Sequence, residues 1–106
     1  MLVMNHYNVS KTDFDKVEAH ERICKQLTDM YRRKNSDYGD AYAITRREHN
    51  NVILIRLFDK YNRLKTLMNG AKQKVSNESI KDTLMDMANY CIMELIEMEV
   101  DELGSK

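Results

Sequence analysis

Apolar residues recur along this chain at a period near 3.6, in three long stretches parted by polar segments. In the first, Val17, Cys24, Leu27 and Tyr31 repeat at spacings of seven, three and four, with Ile23 and Met30 widening the stripe. This predicts a helix from Thr12, an N-cap followed by Asp13 and Asp15, to Lys34–Asn35, with Arg32, Arg33 and Lys34 at its negative end. In the second stretch, residues 52–55 (Val-Ile-Leu-Ile) would by themselves seed a strand. Leu57, Tyr61, Leu64 and Met68 carry the helical period two turns further, so a helix from His49 to Met68 is predicted, with Gly70 beyond its end. The third helix opens at Ser76 or Asn77 and runs to about Glu102, with Ile80, Leu84, Met87, Cys91 and Leu95 as its main stripe. From Met87 to Met98 it is apolar nearly all round, because Ile92, Met93 and Ile96 flank that stripe. A helix apolar on every side needs cover on every side, so the pattern predicts a homodimer or dimer of dimers built through this helix as a bundle.

The polar positions carry the candidate chemistry. Opposite the third helix's main stripe stand Glu78, Asp82, Asp86 and Asn89, each three or four residues from the next. Carboxylates at i, i+4 and i+8 repel one another, so this line costs stability unless a cation or basic groups from a neighbour compensate it. Oxygen ligands on successive turns suit Mg2+, with Mn2+ as the alternative ion, and Glu78, Asp82 and Asp86 are the candidate ligands. On the second helix, Arg56, Asp59 and Arg63 share a flank with Lys60 at its edge. Two readings stand there: an intrahelical Asp59–Arg63 pair worth about 0.3–0.5 kcal/mol, or a phosphate-facing edge in which Asp59 orients Arg63. The segment Lys34-Asn-Ser-Asp37-Tyr38-Gly39-Asp40 reads as a polar turn, or as a loop reaching toward residue 47 that offers Tyr38 for stacking and Lys34 for phosphate. Residues 41–46 add a short helical turn. Glu18 and Glu21 read as solvated charges and His20 as a boundary residue, since nothing nearby completes a metal cluster.

Composition narrows the fold class. With no proline, three glycines and no tryptophan in 106 residues, the chain lacks the punctuation that sandwiches, barrels and doubly wound sheets require. The expectation is a single all-α domain with its core at about 12–102, three long helices and a short helical turn, completed by oligomerisation. Seventeen basic against seventeen acidic residues give a formal charge of zero, which argues against nucleic acid as a partner. No run approaches the ~18 apolar residues of a membrane span, and residues 1–7 carry no signal-peptide pattern. Cys24 and Cys91 lack CxxC spacing, and two reduced, buried thiols in a cytoplasmic protein are expected.

Three strings stand in a fixed order: Lys34-x-x-Asp37-Tyr38-Gly39-Asp40, Ile55-Arg56-Leu57-x-Asp59-Lys60-x-x-Arg63-Leu64, and Glu78-Ser79-Ile80-x-Asp82-Thr83-Leu84-x-Asp86-x-Ala88-Asn89-Tyr90. Together they resemble the nucleotide-modification-associated helical domain of phages and bacteria, over about residues 30–100. The last helix in turn is similar to the ExxD helix of MazG-type all-α nucleoside triphosphate pyrophosphatases, which hold Mg2+ on helix-borne carboxylates. The resemblance implies a metal-dependent (d)NTP pyrophosphohydrolase with a nucleotide ligand. Asp59 and Asp86 are then the candidate catalytic carboxylates; Lys34, Arg56, Lys60 and Arg63 the phosphate contacts; and Asp37, Tyr38 and Asn89 the base or sugar contacts. One departure weighs against catalysis. Where MazG-type enzymes carry EExxE, this chain has Arg56-x-x-Asp59-Lys60-x-x-Arg63, with one carboxylate among three cations. The alternative expectation is therefore a non-catalytic nucleotide binder or a phage accessory interaction module.

Overall fold

A computed structural model describes residues 12–38, 40–70 and 73–104, the side chains at 36–38 and 73–76 excepted, and every regular element in it is a helix. Helix α1 spans Lys16–Tyr38, α2 Ala41–Glu48, α3 Val52–Gly70 and α4 Gln73–Gly104. The all-α expectation holds: three long helices and a short one, with no strand among the described residues.

The boundaries shift for local reasons. Asp15, rather than Thr12, caps α1: its Oδ1 accepts the Glu18 amide at 3.1 Å, which satisfies one of the orphan N–H groups of the first turn. The helix also continues past Lys34, so the segment expected as a loop is mostly helical. Asn35, Ser36 and Asp37 are weak helix formers, but each costs only some tenths of a kcal/mol, less than leaving backbone groups unpaired. Residues 41–48 form α2, a little longer than the turn expected over 41–46. It ends where the His49 amide turns back to the Thr45 carbonyl at 2.8 Å. Helix α3 then starts at Val52 rather than His49, on the Asn51 carbonyl, and takes in Gly70 as its last residue.

The most extensive packing is α3 against α4, two helices joined by a short connection, with α1 lying on α4 and α2 on α3. The buried apolar side chains are Leu27, Tyr42, Ala43 and Val52, from α1, α2 and α3. Helix α4 contributes only polar residues to the fully buried set, Thr83 and Asn89. Both are satisfied: the Thr83 hydroxyl donates to the Ser79 carbonyl at 2.7 Å, and the Asn89 amide donates to the Leu27 carbonyl of α1 at 3.1 Å. The stripe expected to form its core does not do so within this chain. Leu84, Cys91 and Leu95 are exposed, while the side carrying Asp86 and Asn89 faces the other helices. Both cysteines are free and exposed, contrary to the burial expected for them.

Candidate functional site

The inward side of α4 meets α1, α2 and the start of α3 at a cleft of about 230 Å³. Four helices bring cations and rings to it. Lys34 comes from the C-terminal part of α1. Arg56 comes from the second turn of α3, and Tyr31, Tyr42 and Tyr90 supply rings from α1, α2 and α4. The Tyr42 and Tyr90 ring centroids lie 6.1 Å apart with planes tilted by 38°. Met93 and Ile96 form an apolar floor, and Asp40, Asp86 and Glu97 place carboxylates around it.

Asp86 is the electrostatic centre of this wall. Its Oδ1 accepts the Lys34 ammonium at 3.2 Å and its Oδ2 the Lys60 ammonium at 3.2 Å, so α4 is tied to both α1 and α3 through one carboxylate. The two lysines are the basic groups from neighbours that the acidic stripe calls for at this position. Arg56, by contrast, makes no hydrogen bond or ion pair among the described residues, although its charge reaches the Tyr42 phenol. A half-buried guanidinium that lines a cleft without a partner is available to an anion.

A second polar network holds α2 in place. Arg46 donates from Nε and Nη2 to the two oxygens of Glu94, both at 3.1 Å, and from Nη1 to Asp101 at 2.9 Å. The Tyr42 hydroxyl donates to Glu94 Oε1 at 2.7 Å. The Arg46 fork, and next the Tyr42 hydroxyl, hold the Glu94 carboxyl below its usual range against the opposing effect of burial. Burial first, then the bond to Glu94, push the Tyr42 phenol far above the usual tyrosine range, so the ring stays neutral and fixed at the cleft. Sequence reasoning missed these four residues. Two signals were present: Tyr42 and Arg46 are spaced i,i+4 on one short helix, and Glu94 and Glu97 are the only charges between Cys91 and Met98.

Of the residues singled out from the sequence, the structure gathers Lys34, Arg56, Asp86 and Asn89 at the cleft and sets Lys60 on Asp86. Asn89 is engaged with the Leu27 carbonyl, so its amide already positions α1. Asp59 and Arg63 are exposed, do not line the cleft, and form no pair with each other. Glu78 and Asp82 are exposed on α4 outside the cleft. The side chains of Asp37 and Tyr38 lie outside the described residues. As arranged, Glu78, Asp82 and Asp86 do not fit a divalent ion: two face solvent and the third is neutralised by two ammonium groups. Among the described residues no three His, Cys, Asp or Glu side chains form a metal-holding group. Nor is any described helix long and apolar enough to cross a membrane.

Fold and site thus define an all-α domain with a tyrosine-lined cleft of mixed charge between its helices. The chain belongs to the family described as nucleotide modification associated domain 1, whose model matches residues 34–98. That span begins at Lys34 and takes in every cleft residue except Tyr31. No curated protein and no solved structure matches the chain.

Proposed function

We propose that the cleft binds a nucleotide. The observation that carries this reading is the placement of the unpartnered Arg56 and the Asp86-bound Lys34 beside the Tyr42 and Tyr90 rings. Anionic phosphates need cations with donors to spare, and a base needs a flat, partly apolar surface. Arg56 takes a phosphate directly. Lys34 and Lys60 exchange part of their bond to Asp86 for phosphate oxygens, which leaves the carboxylate in the same charge-balanced cluster. The neutral Tyr42, held by Glu94, and Tyr90 offer faces to the base, while Asp40 and Glu97 accept sugar hydroxyls. The family's description, nucleotide modification associated, agrees with this ligand class.

Binding is favoured over hydrolysis because the carboxylate best placed in the cleft is already neutralised by two lysines. Hydrolysis of a (d)NTP to monophosphate and pyrophosphate is a second reading. It rests on the position of Asp86, the one carboxylate on the cleft wall that touches two cations. Titration calorimetry with nucleoside, mono-, di- and triphosphate tests the first: affinity should rise with phosphate number, and Arg56→Ala with Lys34→Ala should lower triphosphate affinity at least tenfold. Absence of heat or protection with every common (d)NTP at millimolar concentration would remove the nucleotide reading. Pyrophosphate release with Mg2+ or Mn2+ tests the second.

A further inference from the structure

Three carboxylates line the cleft, and they stand in different states. Asp86 is taken by two lysines, and Asp40 is exposed at the start of α2. Glu97 is half-buried and, among the described residues, makes no hydrogen bond or ion pair. A carboxylate only accepts hydrogen bonds, so its two oxygens in a cleft call for two donors from a ligand.

The order of groups along the cleft selects those donors. Arg56 and Lys60 stand at i and i+4 on one face of α3, about 6 Å apart along its axis. Lys60 bonds Asp86, while the charge of Arg56 reaches the Tyr42 phenol. The Tyr42 hydroxyl in turn donates to Glu94, three residues before Glu97. Along α4, over the roughly 16.5 Å from Asp86 to Glu97, the cleft therefore presents first Lys34 and Lys60, then Arg56, then Glu97. Two cation positions one helical turn apart suit a chain of phosphates better than a single one. A polyphosphate laid across them has its esterified end toward Glu97, and the group that follows phosphate in a nucleotide is the sugar. We infer that Glu97 takes the vicinal 2′- and 3′-hydroxyls of a ribose, so that the cleft selects ribonucleoside over deoxyribonucleoside polyphosphates. This rests on the nucleotide reading and adds the sugar to it. The two cis hydroxyls donate side by side to the two oxygens of one carboxylate. A 2′-deoxyribose leaves one oxygen without a donor at a half-buried position, and such a loss discriminates strongly.

Titration calorimetry of the full chain with ATP, 2′-deoxy-ATP, 3′-deoxy-ATP and GTP tests this. ATP should bind about tenfold more tightly than either deoxy analogue. Glu97→Ala should bring ATP down to the affinity of 2′-deoxy-ATP, with circular dichroism and melting temperature unchanged, because Glu97 holds no partner in the chain. Glu99→Ala, at an exposed position of α4 outside the cleft, should keep the tenfold difference. Should Glu97→Ala lose its helicity, the wild-type protein decides: loss of either hydroxyl should weaken binding to a similar extent. Equal affinity for ATP and both analogues, or a ribose preference that survives in Glu97→Ala, would overturn the inference and leave the nucleotide reading standing. So would a preference for GTP over ATP that Glu97→Ala abolishes while the sugar makes no difference, because the carboxylate would then read the two adjacent N–H donors of guanine. Absence of binding by all four would end the nucleotide reading itself, and the inference with it.

Discussion

The two sides of α4 solve opposite problems. The inward side is polar, and three of its side chains have hydrogen-bonded or ionic partners on other helices: Asp86 with Lys34 and Lys60, Asn89 with the Leu27 carbonyl, Glu94 with Arg46 and Tyr42. The outward side is apolar, and its large side chains are about half exposed. Hydrophobic burial is non-directional and accepts any apolar partner, while hydrogen-bonded charge accepts few. The inward side therefore sets where α1, α2 and α3 sit and shapes the cleft. The outward side sets no such positions. A helix with both properties reads as apolar all round when only its hydrophobicity is followed.

The sharpest test of this contrast compares two arginine–carboxylate pairs. Arg46 and Glu94 are each about one-fifth exposed, whereas Arg32 and Asp29, paired at 3.1 Å on α1, are 71% and 41% exposed. Arg46→Ala leaves Glu94 in a half-buried position without its fork and should cost about 2–4 kcal/mol, read from chemical denaturation. Arg32→Ala should cost no more than about 0.5 kcal/mol. Equal effects would mean that the α2 clamp is as solvent-screened as a surface pair.

Acid should act on the same clamp. The folded Glu94 carboxyl lies below its ordinary value of 4.5, so the unfolded chain binds its proton more readily. Its contribution is complete above pH 4.5 and is lost as pH falls through the lower folded value. Tyr42 acts at the other end, because its raised folded value means stability is lost as pH climbs past 10. Denaturation from pH 7 to pH 3 should show a smaller loss in Glu94→Gln than in the wild type. Parallel curves would place the acid sensitivity elsewhere.

A smaller effect is expected where the inward side uses a neutral group. Asn89→Ala removes the only side-chain bond between α4 and the α1 backbone among the described residues, and should cost about 1 kcal/mol. The Leu27 carbonyl keeps its place within α1, so the loss is that of one tether rather than of a stranded buried group. Hydrogen exchange should rise in α1 and stay unchanged in α3. Loss spread evenly over all four helices would contradict a local tether.

How much of this was legible follows from the same division. The 3.6 period revealed three long helices, because periodicity survives whichever face is buried. It did not reveal which face of α4 turns inward, since Leu84, Cys91 and Leu95 form as regular a stripe as any core would. Lys34, Arg56, Asp86 and Asn89 were found because their types and spacings carry chemistry by themselves. Arg46, Glu94 and Asp101 were missed because the distance from residue 46 to residue 94 along the chain leaves no local trace of their bond. Asp59 and Arg63 share a flank with Arg56 on the helical wheel, but α4 covers only part of α3, so position on a wheel did not decide access to the cleft.

The smallest expected effect on stability carries the finest distinction about function. Considered as a row of like charges, the acidic stripe should become more stable when Asp86 loses its charge. The structure reverses that sign, because Asp86 is balanced by Lys34 and Lys60 at 3.2 Å each. Lys34 is 59% exposed, so one of the two pairs is well solvated and its loss is weakly felt. Asp86→Asn should therefore lower stability by no more than about 1 kcal/mol while leaving two ammonium groups without their carboxylate beside the cleft. Triphosphate binding should tighten, by roughly threefold to tenfold, and more at low than at high ionic strength. A carboxylate that took part in hydrolysis would behave otherwise, with binding retained and pyrophosphate release falling by two orders of magnitude, about 2.7 kcal/mol of barrier. Weaker nucleotide binding in Asp86→Asn would remove the lysines from the phosphate contacts and leave Arg56 as the cation to examine next.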